Sequence, residues 1–428
     1  MEITNCREEG AVIVSQDLVP HLFRREYSKV VAVLVRHFGL EQIEVAEDIA
    51  SETFLAAVQS WSYEGIPSNP TAWIYAVAKN KTRNYLVRVS KVKEIGPDGL
   101  EDIPGSDFPI DLTDGNISDS QLRMIFAVCH PAISTESQVG LALRVLCGFG
   151  IEEIADAFLS SKETIYKRLQ RAKETLRREA AILEVPAESA MEDRLGAVLT
   201  TLYLLFSEGY YSECHPEVLR KELCWEAMRL AELLLGHSAT HRPSTQALFA
   251  LMCFQSSRFP ARRDEGGELV LYAEQDESKW DQALISRGAE LLREASVGVS
   301  LSKYHVEASI AYWHTVKEDS DEKWESILML YNHLLRIEYS PIAALNRTFA
   351  LAKVRGKADA ICEAEKLQLT NNHFYFMLLA ELYLESDPSQ ARQYLDQALA
   401  LARTSTDKQT ISRKLAGLGK CDGSHRSM

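Results

Sequence analysis

Residues 148–179 read GFGIEEIADAFLSSKETIYKRLQRAKETLRRE, two short amphipathic segments on either side of a polar turn. Apolar spacing predicts a first helix from Ile151 to Phe158, with Ala155 small enough to allow a second helix to cross closely. "LSSK" can make the turn, and either serine can cap the helix that follows. In that second helix Ile165 and Leu169 face inward at i, i+4, which leaves Lys162, Thr164, Lys167, Arg168 and Arg171 pointing outward. Its residues 162–179 hold seven basic side chains against three acidic ones, in a chain whose formal net charge is -14. This is the helix-turn-helix arrangement, in which the second helix enters the DNA major groove and its Arg and Lys tips reach guanine edges and phosphates. The plainer alternative is a helix pair with a solvated basic face. Leu159 stands where such turns usually have glycine, so either the turn is altered or the leucine packs beneath it.

Bulk properties narrow the field. A chain of 428 residues, 46% apolar and 25% charged, is globular and long enough for about two to four domains. No apolar run reaches the ~18 residues of a membrane span, and the acidic start MEITNCREEG lacks the plan of a secretory signal. The eight cysteines are scattered without a CxxC pair, which argues against a zinc ribbon or a disulfide framework and for a reducing cytosol. His237 and His241 stand four apart, but no glutamate follows the first and Pro243 ends any helix nearby, so no metal site is expected. Glycine-rich phosphate loops are absent. The expectation is a cytoplasmic protein with neither cofactor nor metal.

Charge is blocked along the chain. Residues 71–93 contain six basic residues and no acidic ones, whereas 94–120 hold eight acids, no bases and many Gly, Pro and Ser. The second stretch reads as a flexible acidic linker over 94–118. Before it, 15–93 reads as helices. One carries apolar residues at 22, 23, 27, 30, 31, 34 and 38. The next places Ile49, Phe54, Leu55 and Val58 inside and Glu47, Asp48 and Glu52 outside. A third opens at Ser-Asn-Pro and buries Trp73, Ile74, Val77 and Ala78. A second boundary falls near 183–194, and the chain beyond is helical in period, GGELVLY at 266–272 being the one weak strand signal. Residues 350–367 and 380–399 form a faint repeat that sets Ala350 over Ala380, Ala360 over Ala391 and Leu367 over Ala398, the pattern of tetratricopeptide-type helix pairs.

The order of these blocks resembles an extracytoplasmic-function (ECF) type RNA polymerase sigma factor. AEDIASETFLAA (46–57) looks like the family's polymerase-docking segment, and NPTAWIYAVAKNKTRNYLVR (69–88) is similar to its minus-ten segment. Residues 148–177 look like its minus-thirty-five reader. Ser51 replaces a common glutamine and Asn84 a common aspartate. The long-tailed subgroup has a helical C-terminal extension, which 194–211, 267–285 and the repeat resemble, with Glu274-Gln275-Asp276 where an Asp-Gln-Asp type motif is usual. The resemblance implies an all-α chain in four parts: a region-two domain at 15–93, the linker at 94–118, a region-four helix-turn-helix domain at 119–180, and a tetratricopeptide-like regulatory extension at 190–418. It implies RNA polymerase core as a partner, through the beta-prime clamp helices and the beta flap, and promoter DNA. It also leaves room for a protein or small-molecule partner of the extension. Asp48, Glu52 and Phe54 would dock on polymerase, and Trp61, Tyr75, Lys79, Asn80, Arg83, Asn84 and Arg88 would meet the minus-ten DNA.

Residue chemistry supports a division of labour. Opening a duplex needs aromatic faces to stack unpaired bases, for which Trp61, Tyr63, Trp73, Tyr75 and Tyr85 are candidates, and positive charge along the strand, from Lys79, Arg83 and Arg88. Trp73 has core spacing, and Asn80 suits either a base edge or a backbone cap. Asp48 and Glu52 share one helix face and could meet basic residues of a partner helix. The linker acids could cover the basic surfaces in the free chain. In the extension, Glu208, Tyr210, Tyr211, Glu274 and Asp276 could line a polar pocket or merely cap helices, and the Tyr and Trp stripes of 303–335 fit inter-helix packing. The competing readings are an enzyme or ligand sensor in which 190–420 binds a small molecule and a helix-turn-helix part delivers it to DNA, and a tetratricopeptide adaptor, whereas the resemblance implies no enzyme.

Overall fold

A computed structural model describes residues 23, 26–93, 110–179, 183–211, 217–262, 270, 272–297, 301–402 and 405–421, and no strand occurs among them. Most of the GGELVLY segment lies outside these residues, and Tyr272–Glu274 at its end is a single 3-10 turn. The chain divides into two compact units, Met1–Leu205 and Phe206–Met428.

The first unit is built around α1 (26–38). Where the sequence suggests a stripe, this helix is buried on nearly every side: Tyr27 and each residue from Val30 to Val35 are at most 3% exposed. A helix apolar all round has no face to give to water, so it must lie between other elements. Its neighbours are α2 (Ile43–Glu64) and α3 (Pro70–Lys93) on one side and α4 (Asp114–Val128) on the other. Tyr27 and residue Phe23 pack on Phe54 of α2, and Tyr75 of α3 donates its hydroxyl to Glu26 at 2.6 Å. Toward α4, Ser28 accepts from Gln121 at 3.2 Å and Arg36 pairs with Asp119 at 2.7 Å. The two N-terminal modules therefore share a core through α1.

Asn69 caps α3 by accepting from the Ala72 N–H at 3.0 Å, and Pro70 occupies the first helical position, where its missing N–H costs nothing. Residues 94–109 of the acidic stretch lie outside the described residues. From Ile110 the chain is structured: Ile110 and Leu112 are buried, Asp111 accepts from the Thr113 N–H, and α4 begins at Asp114, so the linker ends before 118. After α5 (Thr135–Leu141), a π-turn at Ala142–Leu146, α6 (Ile151–Ala157) and α7 (Lys162–Arg178) complete the second module.

α8 (Glu188–Tyr211) moves the expected boundary. Met191, Leu195, Val198, Leu199 and Leu202 are buried, Arg194 donates to the Phe126 carbonyl at 2.7 Å, and Thr201 donates to Gln138 at 2.9 Å. Its first turns close the core of the second module instead of opening the extension.

The second unit is a run of packed helices: α9 (Glu217–Leu235), α10 (Pro243–Ser256), α11 (Gln282–Ala295), α12 (Lys303–Trp313), α13 (Asp321–Ile337), α14 (Pro341–Arg355), α15 (Lys357–Leu367), α16 (His373–Tyr383), α17 (Pro388–Leu401) and α18 (Ser405–Cys421). α10 is buried along almost its whole length, and α11 approaches it so closely that a Cβ at Gly288 would stand 2.8 Å from the Phe254 ring. The repeat corresponds to the helix pairs α14–α15 and α16–α17. Ala350, Ala360, Ala391 and Ala398 are fully buried and Ala380 nearly so, where small side chains let helices meet closely. Tyr304, Trp324 and Tyr331 of the aromatic stripes are buried between helices.

Candidate nucleic-acid interface

α7 begins with Ser161, whose hydroxyl accepts from the Thr164 N–H at 3.1 Å, satisfying one of the free donors of the first turn. Ile165, Leu169, Ala172 and Leu176 form its buried stripe. Lys162, Thr164, Lys167 and Arg171 are exposed. Lys162 pairs with Glu152 and Lys167 with Glu163, but pairs between exposed side chains are worth about 0–1 kcal/mol and exchange readily for a phosphate. Arg168 is half-buried, its guanidinium carbon 5.8 Å from the centre of the Phe158 ring.

The turn before α7 resolves the question of Leu159. Its N–H donates to Asp156 and that of Ser160 to Ala155, the paired bonds of a Schellman C-cap. Leu159 holds the left-handed position at φ 47° that glycine takes without strain, and its side chain is 70% exposed. It does not pack beneath the turn.

On α3, Lys79, Asn80, Arg83, Asn84 and Arg88 are all exposed; at i, i+1, i+4, i+5 and i+9 they spread over about half of the helix circumference, with Lys79 and Arg88 at its two edges. The aromatic assignments need correction. Trp61 is 3% exposed and meets Trp73 edge-on at 5.4 Å, so it is part of the core and cannot stack a base. Tyr75 is half-buried and engaged with Glu26. Tyr85 is half-buried between Phe38 and Arg88. Tyr63, at the end of α2, is 92% exposed and is the free aromatic face of this group.

α2 also differs from the reading of its sequence. Phe54 is 3% exposed between Phe23 and Tyr27, out of reach of a partner, whereas Leu55 and Val58 are 56% and 47% exposed. Asp48 is exposed, and Glu52 pairs with Lys81 at 3.1 Å with most of its side chain in solvent. Asp48, Glu52 and Leu55 thus form one acidic and apolar surface at i, i+4, i+7.

Glu47 is not on that surface. It is 6% exposed and accepts from Arg144 at 3.1 Å and from Lys173 of α7 at 2.5 Å, Lys173 itself being 9% exposed. Arg177 of α7 reaches Glu44 and donates to the Glu41 carbonyl. A cavity of about 180 Å³ beside this cluster is lined by Glu44, Glu47, Asp48, Arg144, Tyr166 and Lys173. Sequence reading passed over the cluster because charge is ordinarily assigned to solvent. The available signal was position: Glu47 falls in the stripe Ile43, Ala46, Ala50, Phe54, and Lys173 in the stripe Ile165, Leu169, Ala172, Leu176.

In the extension, Tyr210 is buried and stacked on Phe206 with Arg262 over its ring, and Asp276 accepts from the Ser278 N–H as a helix cap. Glu274 and Asp276 face solvent and Gln275 between them is 4% exposed, so these carboxylates line no pocket. Among the described residues no group of three His, Cys, Asp or Glu could hold a metal, and no helix is long and apolar enough to cross a membrane.

Comparison with known proteins matches residues 22–92 to sigma-70 region 2, and residues 194–296 to a family of unknown function, DUF6596. An uncharacterized protein of Rhizobium meliloti is 32% identical over 389 residues, 89% of this chain and 91% of that protein. The ECF RNA polymerase sigma-E factor of Haemophilus influenzae is 26% identical over 162 residues, 36% of this chain and 83% of that protein. No solved structure matches.

Proposed function

The chain belongs to the ECF-type sigma factors, here with a C-terminal extension, and from that premise we propose that it binds bacterial RNA polymerase core and directs it to promoters through two separate DNA contacts. The observation that carries this reading is the exposed set Lys79, Asn80, Arg83, Asn84 and Arg88 within the segment similar to sigma-70 region 2. Lys79 and Arg83, one turn apart, can follow a strand's phosphates, Arg88 can meet them from the other edge of the surface, and the asparagines between can hydrogen-bond base edges. Tyr63 supplies a stacking face, worth about 1–3 kcal/mol per base. Lys162, Thr164, Lys167 and Arg171 on α7 read the minus-thirty-five duplex in the major groove.

Asp48, Glu52 and Leu55 form the surface that meets the beta-prime clamp helices, and the second module meets the beta flap. To contact two separated promoter elements the modules must part, so polymerase has to replace the Glu47–Lys173–Arg144 cluster and the shared α1 core with contacts of its own. The extension modulates that step, and the protein acts in the cytoplasm, where polymerase works. Promoter reading needs no bond-making group from this chain, only placed cations, amides and an aromatic ring.

The test is run-off transcription on genomic fragments with purified core polymerase and the full chain. Initiation from discrete start sites, lost with the double substitution Arg83→Ala, Arg88→Ala, is the expected result. A chain that does not comigrate with core polymerase, yet shifts specific DNA by itself, would instead be a conventional helix-turn-helix regulator.

A further inference from the structure

Between α10 and α13 the extension gathers three cations, none of them in an ion pair among the described residues. Arg258 follows α10, Lys317 follows α12 and Lys323 lies in the first turn of α13. The guanidinium carbon of Arg258 stands 4.7 Å from the centre of the Tyr272 ring and 5.9 Å from that of Trp280. The Lys317 ammonium is 5.9 Å from the Trp280 ring, and the Lys323 ammonium is 5.3 Å from Tyr272. None of the three has a carboxylate within ion-pair reach among the described residues, whereas the cations of the clasp beside α2 are all paired. Lys323 is the extreme case: it is 1% exposed, and its neighbours are the Val316 carbonyl at 2.5 Å and the Tyr272 hydroxyl at 3.0 Å.

The nearby acids Asp319 and Asp276 act on Lys323 and Lys317 through space, but neither reaches them as an ion pair. Asp319 pairs with Lys353 at 3.1 Å and accepts from the Trp324 indole, and Asp276 caps the following turn. Gln275 orders the cluster without neutralising it, accepting from Arg258 at 3.1 Å through its side chain and from Lys317 through its carbonyl. A second observation points the same way: the indole N–H of Trp280, a residue 4% exposed, has no hydrogen-bond partner. The His314 ring meets Tyr272 edge-on at 5.4 Å, and burial together with Arg258 and Lys323 pushes its pKa down to about 3. A buried cation such as Lys323 with no ion-pair partner is costly, and a buried N–H donor left unmet adds to that cost. Both costs fall if an anion with several acceptor oxygens enters.

We propose that Arg258, Lys317 and Lys323, with the Trp280 indole N–H, form an anion site in the extension that takes the phosphoryl group of a small molecule. Three cations match a dianion better than a single carboxylate. Tyr272, stacked on Trp280 and half-buried, holds the cations beside it, and an ester with a planar group tests whether the site takes more than the phosphoryl group. Free phosphate shares the same chemistry. The site concerns binding to the extension alone, so its test is separate from promoter recognition.

The test is titration calorimetry of the full chain at pH 7 with inorganic phosphate and, separately, phenyl phosphate. Saturable binding of one equivalent is expected, and Lys317→Met should weaken it at least tenfold with an unchanged melting curve. Arg258→Gln should do the same. Lys366→Met, whose ammonium is exposed and pairs with Glu363 of α15, should leave binding unchanged. A tighter ester than free phosphate identifies an organic phosphate as the ligand, and equal affinity identifies phosphate itself. The His314 imidazole, followed by NMR, should titrate at higher pH once the anion is bound. No saturable heat with either probe, or equal binding by wild type and Lys317→Met, overturns the site. If Arg258→Gln does not fold, the half-buried Lys317→Met still decides the matter.

Discussion

Replacing Glu47 by Gln keeps the shape of the side chain and removes one charge from the joint between the N-terminal modules. Lys173, 9% exposed, then keeps its ammonium with no carboxylate in ion-pair reach, while Arg144, with a side chain 25% exposed, can turn toward water and still donate to the Phe149 carbonyl at 3.2 Å. Removing one partner of a buried pair costs about 3–5 kcal/mol, mostly from the charge left behind. Arg144's access to solvent argues for the lower end, about 3 kcal/mol. In a unit of the size of Met1–Leu205, at about 2–4 °C per kcal/mol, the midpoint should fall by roughly 6–12 °C.

Scanning calorimetry of the full chain reads this loss in the transition of the first unit. The double variant Glu47→Gln, Lys173→Met removes the stranded ammonium, puts an unbranched apolar chain among Leu169, Ala172 and Leu176, and should recover about 2 kcal/mol of the loss. A loss below about 1 kcal/mol for Glu47→Gln would refute the reasoning, as would a double variant no more stable than the single one. Because the pair is shielded from solvent, the loss should persist in high salt, unlike that of an exposed pair.

Arg171→Ala and Lys167→Ala should each lower promoter-dependent transcription while leaving the melting curve unchanged, and the lost contact should appear as a binding loss of about 1–3 kcal/mol or a smaller salt slope; unfolding of either variant would contradict their exposed placement. Trp61→Ala should destabilise the first unit by about 3–5 kcal/mol, whereas Tyr63→Ala should leave stability intact and slow promoter melting, read by permanganate reactivity of unpaired thymines. Leu159→Gly removes a left-handed strain of about 1–2 kcal/mol at a glycine entropy cost of about 0.5–1, so a net gain of about 0.5–1 kcal/mol is expected by thermal melting, and a loss would count against the strain. Burial lowers the pKa of His314 to about 3 and also lowers that of His305. Both take up protons in the unfolded chain first, so their stability is complete above the unfolded value near 6.5 and falls as pH drops through it; for His314 that is roughly 1–2 kcal/mol by pH 5, measurable as a falling denaturation midpoint of the second unit.

What could be read from the sequence was whatever depends on spacing. The helix bounds at Ile151, Lys162 and Pro70, the turn at Ser161, the outward tips of α7 and the paired helices around Ala350 and Ala391 all follow from periodicity and cap chemistry. What escaped depends on which element covers which. Phe54, Leu55 and Val58 are equally apolar in the sequence, yet only Phe54 meets α1, because α1 is buried on both sides and draws one face of α2 against it. The same covering takes Trp61 out of the aromatic group that could face DNA and leaves Tyr63. The boundary near 190 failed similarly, since a composition shift marks where the chain changes character and not where a core closes. The first turns of α8 still complete the core around Phe126 and Gln138.

The concentration of positive charge in residues 162–179 has two causes that composition cannot separate. Lys162, Lys167, Arg171 and Arg178 point to solvent and Arg168 lies half-buried along Phe158, whereas Lys173 and Arg177 turn inward onto the acids of α2. An inward cation neutralises a carboxylate of the same chain, so it releases no counterion when DNA arrives. Each phosphate contact contributes about 0.9 to the slope of log affinity against log salt, so while the modules stay joined, binding through α7 should show a slope about 1.8 smaller than its seven cations would give. Replacing Glu44 and Glu47 by Gln would free Lys173 and Arg177 and steepen that slope toward the full value. An unchanged slope in a variant that still folds would mean that those two cations never reach DNA, and that the clasp serves stability alone.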